Sequence, residues 1–180
     1  MKQSDPIKID GIYYRLNHDN KTAEVTSCNY EEYTGSIVIP QSILFNGESY
    51  SVTMIGESAF YYCLELASVI IPITVTSIDN CAFECCSGLY SVVIPSSIVS
   101  IGVQAFKGCS KLNSVIIPNS VVSIGAQAFK GCSRLSSVII SNSVVSIGER
   151  AFEYCTGLHS YLYHVLSLSS AAVLSKDAPN

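Results

Sequence analysis

Val115-Ile116-Ile117-Pro118-Asn119-Ser120-Val121-Val122-Ser123-Ile124-Gly125-Ala126-Gln127-Ala128-Phe129-Lys130-Gly131-Cys132 is the stretch on which the reading of this chain turns. Its Ala-Phe pair occurs five times, at Ala59-Phe60, Ala82-Phe83, Ala105-Phe106, Ala128-Phe129 and Ala151-Phe152, each step being 23 residues. A cysteine stands three residues after every Phe, at Cys63, Cys86, Cys109, Cys132 and Cys155. Ahead of each Ala-Phe comes Ile-Gly or a variant of it: Ile55-Gly56, Ile78-Asp79, Ile101-Gly102, Ile124-Gly125 and Ile147-Gly148. The segment Leu112–Pro118 likewise recurs as Leu89–Pro95 and Leu66–Pro72. Five matches without drift mean that one structural unit has been copied along the chain.

A period of this length falls within the leucine-rich-repeat range, where each unit is one turn of a solenoid. Leu112-x-x-Val115-x-Ile117 reads as a short β-strand, rich in β-branched residues and stopped by Pro118, which has no N–H to donate. Strands of successive turns should stack in parallel, about 4.8 Å apart. Val121 and Ile124 suit a short extended piece, and the Gly after Ile124 is expected to free the backbone for a corner. Ala-Phe-x-x-Cys, with Leu three residues further on, has spacing suited to a helical or 3₁₀ return. The expected architecture is an α/β leucine-rich-repeat solenoid with a parallel sheet on its concave face, short helical or 3₁₀ returns and an N-terminal β-hairpin cap. No single turn can bury its own Leu, Val, Ile and Phe, but stacked turns align them in columns. Phe60, Phe83, Phe106, Phe129 and Phe152 should form the spine.

These residues resemble the BspA-like leucine-rich repeats, a family also seen in treponemal and trichomonad surface proteins. Its frame is met at Ile117-Pro118, Val121, Ile124-Gly125, Ala128-Phe129, Cys132 and Leu135. The resemblance spans about residues 36–163, taken as about five repeats. The first contains an insertion around Phe45-Asn46-Gly47-Glu48, because Pro40 and Pro72 lie 32 residues apart. Asp79 stands where Gly is expected and Ser141 where Pro is expected. Residues 1–35 hold a β-hairpin, Ile12–Leu16 and Thr22–Thr26 about the polar turn Asp19-Asn20-Lys21, similar to the entry segment of the family. A cap is needed there, since a first turn would otherwise expose apolar columns and a bare strand edge. Residues 164–180 match nothing in the frame and form a non-repeat tail. The resemblance implies an exported protein, extracellular or at the cell surface, that adheres to host proteins or associates with itself.

Composition narrows the partners. Charged residues are 13% of the chain and hydrophobic ones 48%, against about 25% charged in an average soluble domain. The net charge of −4 comes with no basic face for nucleic acid. No apolar run is long enough to insert in a bilayer, and the start, Met1–Pro6, lacks the apolar middle of a signal peptide. Either the chain stays inside the cell or an export signal has been removed.

Nothing in the chain points to catalysis or a cofactor. The histidines, His18, His159 and His164, sit in no nucleophile or metal motif. The carboxylates Glu57, Glu65, Glu84, Glu149 and Glu153 are scattered over repeat surfaces. The five ladder cysteines share one inward slot with parallel Cβ vectors, so buried free thiols are expected rather than disulfides or metal ligands. Cys28, Cys81 and Cys85 lie off the ladder, and the last two could meet across a helical turn. Adjacent Cys85-Cys86 has no second pair to complete a zinc site.

The strand face carries the functional expectation. With Leu, Val and Ile inward, the alternate positions point out. They form an apolar column, Ile70, Val93, Ile116, Ile139 and Leu162, and a serine column, Ser68, Ser91, Ser114, Ser137 and Ser160. Beside them runs a varied column, Ala67, Tyr90, Asn113, Ser136 and His159, where selective recognition would sit. An exposed apolar stripe marks an interaction site, although β-branched residues also favour strands for their own sake. The candidate partner-binding residues are therefore Ile70, Tyr90, Val93, Asn113, Ile116, Ser136, Ile139, His159 and Leu162. A second patch groups Lys107 with Lys130 and Lys111 with Arg134; it would take an acidic partner or serve solubility. The expected function is a non-enzymatic protein-binding module, which the family resemblance implies is a cell-adhesion protein meeting a host extracellular-matrix protein or another copy of itself. The alternative is a structural, self-assembling segment that associates end to end or by its edges.

Overall fold

The computed structural model describes residues 5–27 and 33–158. The N-terminal part holds β1 (Ile7–Ile9), β2 (Ile12–Asn17) and β3 (Thr22–Thr26), followed by β4 (Gly35–Val38), β5 (Ser42–Phe45) and β6 (Glu48–Ile55). Each repeat then contributes two strands: β7 (Leu66–Ile70) and β8 (Ser77–Ile78), β9 (Ser91–Val93) and β10 (Ser100–Ile101), β11 (Ser114–Ile117) and β12 (Ser123–Ile124), β13 (Ser137–Ile140) and β14 (Ser146–Ile147). The chain has a leucine-rich-repeat fold with parallel strands. Equivalent residues pair in register one repeat apart, as in Val115 with Val138 and Ile101 with Ile124.

Two faces of each unit are sheet. On one, β4, β7 and β9 form a parallel ladder, and β11 pairs β13 beyond a break between β9 and β11. On the other, β6, β8, β10, β12 and β14 run parallel and join the N-terminal strands through β3. The short extended piece read from Val121 and Ile124 is thus a strand pair of its own. β2 and β3 are antiparallel over Tyr13–Asn17 and Thr22–Thr26, the hairpin expected there. The insertion is a second hairpin, β5 with β6, turning at Asn46 and Gly47 with φ of 51° and 80°. Two successive left-handed residues are what a type I′ hairpin turn requires, and Asn-Gly is its preferred pair.

The return segment departs from expectation: there is no helix among the described residues. Ser58, Cys81, Gln104, Gln127 and Arg150, one before each Ala, have φ between 54° and 58°. Tyr62, Cys85, Gly108, Gly131 and Tyr154, one before each Cys, are also left-handed. Two such residues per unit cannot lie in an α-helix. The amides explain the choice. Phe60, Phe83 and Phe106 donate N–H to the carbonyls of Ala82, Ala105 and Ala128 in the next repeat, each at 2.7 Å. The intervening amides turn inward locally, Cys109 N–H reaching Phe106 O at 3.2 Å. A helix would spend every N–H on its own turn, whereas here alternate ones tie repeat to repeat.

The core is a set of columns. Phe60, Phe83, Phe106, Phe129 and Phe152 stack with ring planes within 5° and centroids 4.8 to 5.3 Å apart. Tyr33 extends the column, its ring 4.7 Å from Phe60, and its hydroxyl donates to Thr26 O at 2.7 Å while accepting from Tyr13 N–H at 2.9 Å. The Ile-Gly corner owes its glycine to close approach rather than to backbone freedom. Gly102, Gly125 and Gly148 do not have positive φ, but a Cβ on Gly125 would stand 2.5 Å from the carbonyl carbon of Gly102. Ser141 replaces the usual proline without cost to the turn, since its carbonyl still accepts Val144 N–H at 3.2 Å, as Pro118 accepts Val121 N–H at 3.1 Å.

Two substitutions test this packing by equilibrium denaturation. Phe106→Ala should lose roughly 3–5 kcal/mol, because stacked neighbours on both sides hold the cavity open. Gly125→Ala should lose about 1–3 kcal/mol by overpacking against the preceding backbone; a neutral result would refute the close-approach explanation.

Candidate partner-binding face

β-Alternation places Val69 and Ile71 inward, as it does Val115 and Ile117; Leu66 and Leu112, three residues before each Val, are buried as well. The residues between them face solvent. Ile70 is 50% exposed, Val93 56%, Ile116 64% and Ile139 57%, so four side chains of the expected apolar column form a wet row. Strand pairing aligns Ile70 with Val93 and Ile116 with Ile139. The row also includes Val38, paired with Ile70. Val38 was missed in the sequence, although Ser36-Ile37-Val38-Ile39-Pro40 follows the same frame as Ser114–Pro118. Leu162 and His159 lie outside the described residues, as do Ser160, His164 and Cys28.

The varied column is also on the surface. Tyr90 is exposed, and so are Asn113 and Ser136. The last two are tied together, Ser136 Oγ lying 3.0 Å from Asn113 Oδ1 and 3.1 Å from Asn113 O. Among the described residues Tyr90 is therefore the large projecting side chain of this column. A second apolar row, Val99, Val122 and Val145, lies exposed on the opposite sheet. Its signal was the spacing of three in Val121-Val122-Ser123-Ile124, where Val121 and Ile124 are buried and Val122 between them is not.

Two of the four cations of the basic patch are paired with acids. Lys107 Nζ meets Glu84 Oε1 of the preceding repeat at 2.8 Å, and Lys130 Nζ meets Glu153 Oε2 of the following one at 2.6 Å. The column reads Glu84, Lys107, Lys130, Glu153, and stacking places each cation beside an acid. The hydrogen bond it donates to Glu84 holds the Lys107 ammonium above its ordinary pKa. Lys111 and Arg134 remain exposed.

The remaining chemical candidates are occupied by structural contacts. A cleft of about 810 Å³ beside the first hairpin is lined by Arg15, His18 and Glu24 among others. There Arg15 is bonded to Glu24 at 3.3 Å and His18 Nδ1 lies 2.7 Å from the Tyr50 hydroxyl. Among the described residues the cysteines are free thiols. The ladder members are hydrogen-bond donors as well as apolar filler: Cys86, Cys109, Cys132 and Cys155 donate to the carbonyls of Phe60, Phe83, Phe106 and Phe129 at 2.8 to 3.2 Å. Burial pushes the Cys109 thiol far above its ordinary pKa. Burial, then a hydrogen bond with Glu84, raises Cys81 to about 11. A protonated thiol is a poor nucleophile, so this column stabilises rather than reacts.

Residues 33–170 match the model of the BspA type leucine-rich repeat region in 6 copies. No curated protein matches the chain. A leucine-rich repeat protein from Bacteroides ovatus is 32% identical, with a TM-score of 0.75 over 85% of this chain and 40% of its own. A leucine-rich cell surface protein from Faecalibacterium prausnitzii is 28% identical, with a TM-score of 0.61 over 88% of this chain and 54% of its own. The pneumococcal vaccine antigen PcpA, at 19% identity and a TM-score of 0.67 over 86% of this chain and 48% of its own, shares the fold. This chain spans about half the length of these proteins or less.

Iodoacetamide at pH 8 should leave Cys63, Cys86, Cys109, Cys132 and Cys155 unmodified in the folded protein and label all of them in guanidinium. Mass spectrometry reads the difference, and labelling of Cys109 without denaturant would contradict a buried, protonated ladder.

Proposed function

The chain belongs to the BspA-type leucine-rich repeat family, and on that premise we propose that it is a non-enzymatic adhesion module that binds a protein through the outward face of β4, β7, β9, β11 and β13. Its stacked units act as a solenoid whose job is to present that face. The N-terminal strands cap one end, with Tyr33 closing the aromatic column. Leucine-rich repeats of this family are generally protein-interaction modules, which supports the class of function. The reading of this face rests on one observation: Val38, Ile70, Val93, Ile116 and Ile139 are apolar, hold equivalent strand positions and are each at least half exposed. Soluble domains seldom leave a continuous apolar row in water without a use for it. Tyr90 stands beside the row as an aromatic anchor, the residue type that most often dominates binding energy. Placement at the cell surface is part of the same proposal, supported by the F. prausnitzii relative, itself described as a cell surface protein.

A second reading, self-association, draws on the row Val99, Val122 and Val145 on the other sheet. The two readings use opposite faces and separate cleanly.

The double variant Ile116→Asp, Ile139→Asp should keep the thermal midpoint close to wild type, since exposed substitutions usually change stability by less than about 0.5 kcal/mol. It should lose capture of immobilised extracellular-matrix protein. Undiminished capture would remove this face from consideration. Val122→Asp should leave capture intact, and a fall in mass by light scattering for that variant alone would favour the self-association reading.

A further inference from the structure

We propose that the open edge of β4 binds an extended segment of a partner protein as an added strand. The inference rests on the reading of the chain as a protein-binding module and moves the point of engagement from a face to an edge. β4 is the terminal strand of its sheet, and among the described residues no strand pairs with its outer side. Gly35 N–H donates to Glu65 O at 2.9 Å and Ile39 N–H to Ile70 O at 3.0 Å. In a parallel ladder alternate residues address the same neighbour. Ile37 therefore shares the direction of Gly35 and Ile39, and the amides and carbonyls of Ser36 and Val38 point away from β7. A row of this kind is a template for another strand.

The surroundings restrict what can reach it. A groove of about 310 Å³ runs beside the edge, lined by Lys8, Asp10, Tyr13, Tyr33, Ile37 and Val38 among others. The end of the β1–β2 hairpin, Asp10 and Gly11, lines the same groove, and a channel between a hairpin and a strand edge suits a single extended chain. The chemistry of that chain follows from the two sides it would present. Outward, a residue beside Val38, which is 64% exposed, continues the apolar row across to Ile70 and Val93. Inward, it would meet Ile37 and Tyr33. The segment is thus apolar on both faces and β-branched, like the protein's own Ser-Val-Ile-Ile, which the fold lays in register beside its copy in β11 and β13.

The probe is the blocked peptide Asn-Ser-Val-Ile-Ile-Pro, copied from residues 113–118, added to the full chain labelled with ¹⁵N. In the free protein the Ser36 and Val38 amides should exchange rapidly; with peptide they should shift and become protected while Ile37 and Ile39 stay as they were. Val38→Pro removes an outward donor without touching the ladder to β7 and should weaken peptide binding roughly tenfold at an unchanged thermal midpoint. Should that variant fail to fold, a peptide N-methylated at alternate amides replaces it. Only one of the two methylation phases should abolish binding. Ser36 and Val38 already protected in the free chain, peptide shifts centred on Ile116 and Ile139, or full binding by Val38→Pro or by both methylated peptides would each overturn the proposal. Peptide binding at β4 that survives Ile116→Asp, Ile139→Asp, in a variant that has lost matrix capture, upholds the edge.

Discussion

The hydrogen bond from each Phe amide to an Ala carbonyl of the next repeat sets the terms for the rest of the molecule. Phe60, Phe83, Phe106 and Phe129 all make it, at 2.7 to 2.8 Å. It holds the spacing at which phenyl rings stack nearly parallel about 5 Å apart. It also uses the amides a helix would need, so the return is a run of tight turns with two left-handed residues in each unit. A non-glycine residue in that conformation costs on the order of 1–2 kcal/mol. The expense recurs in every repeat and is offset by a hydrogen bond and a stacked ring that recur with it.

The same spacing dictates the corner and the thiols. Adjacent backbones approach so closely at the Ile-Gly corner that a methyl group on Gly125 would strike Gly102. One unit further round, the distance brings each cysteine under the preceding Phe carbonyl, where a small sulfur donor fits in a dry site. Surface charge follows the same rule. A residue in one unit has its counterpart directly beside it, so Lys107 and Lys130 are answered by Glu84 and Glu153. Stacking makes a column the unit of chemistry, inside and out.

What stacking leaves unsatisfied is where binding can occur. The inward columns are largely buried and strands pair from repeat to repeat except across the break between β9 and β11, so the exposed remainder among the described residues consists of outward rows and strand edges. The row from Val38 to Ile139 meets, at Val38, the edge of β4 that no described strand pairs. A partner strand there would gain backbone hydrogen bonds and apolar contact at the same place, which is how strand addition joins affinity to selectivity.

The repeat, its 23-residue period, the buried columns and the outward row could be read from residues alone, because β-alternation and a fixed period assign each side chain to a face. The hairpin of β2 and β3 was equally legible from its alternation and polar turn. The helical return was misread because Ala-Phe-x-x-Cys has helical spacing, while the destination of its amides depends on a neighbour one repeat away. The corner glycines were assigned to backbone freedom for the same reason, as the atom that excludes a side chain belongs to another unit. Val38 followed the strand frame and the valine row lay between buried residues three apart, but both needed the pairing to show which face was wet. Sequence by itself determined what repeats and which side chains turn inward, since those are properties of one unit. Only the tertiary structure decided where the amides go, which charges are neutralised and which edge stays open, since those are set by contacts between units.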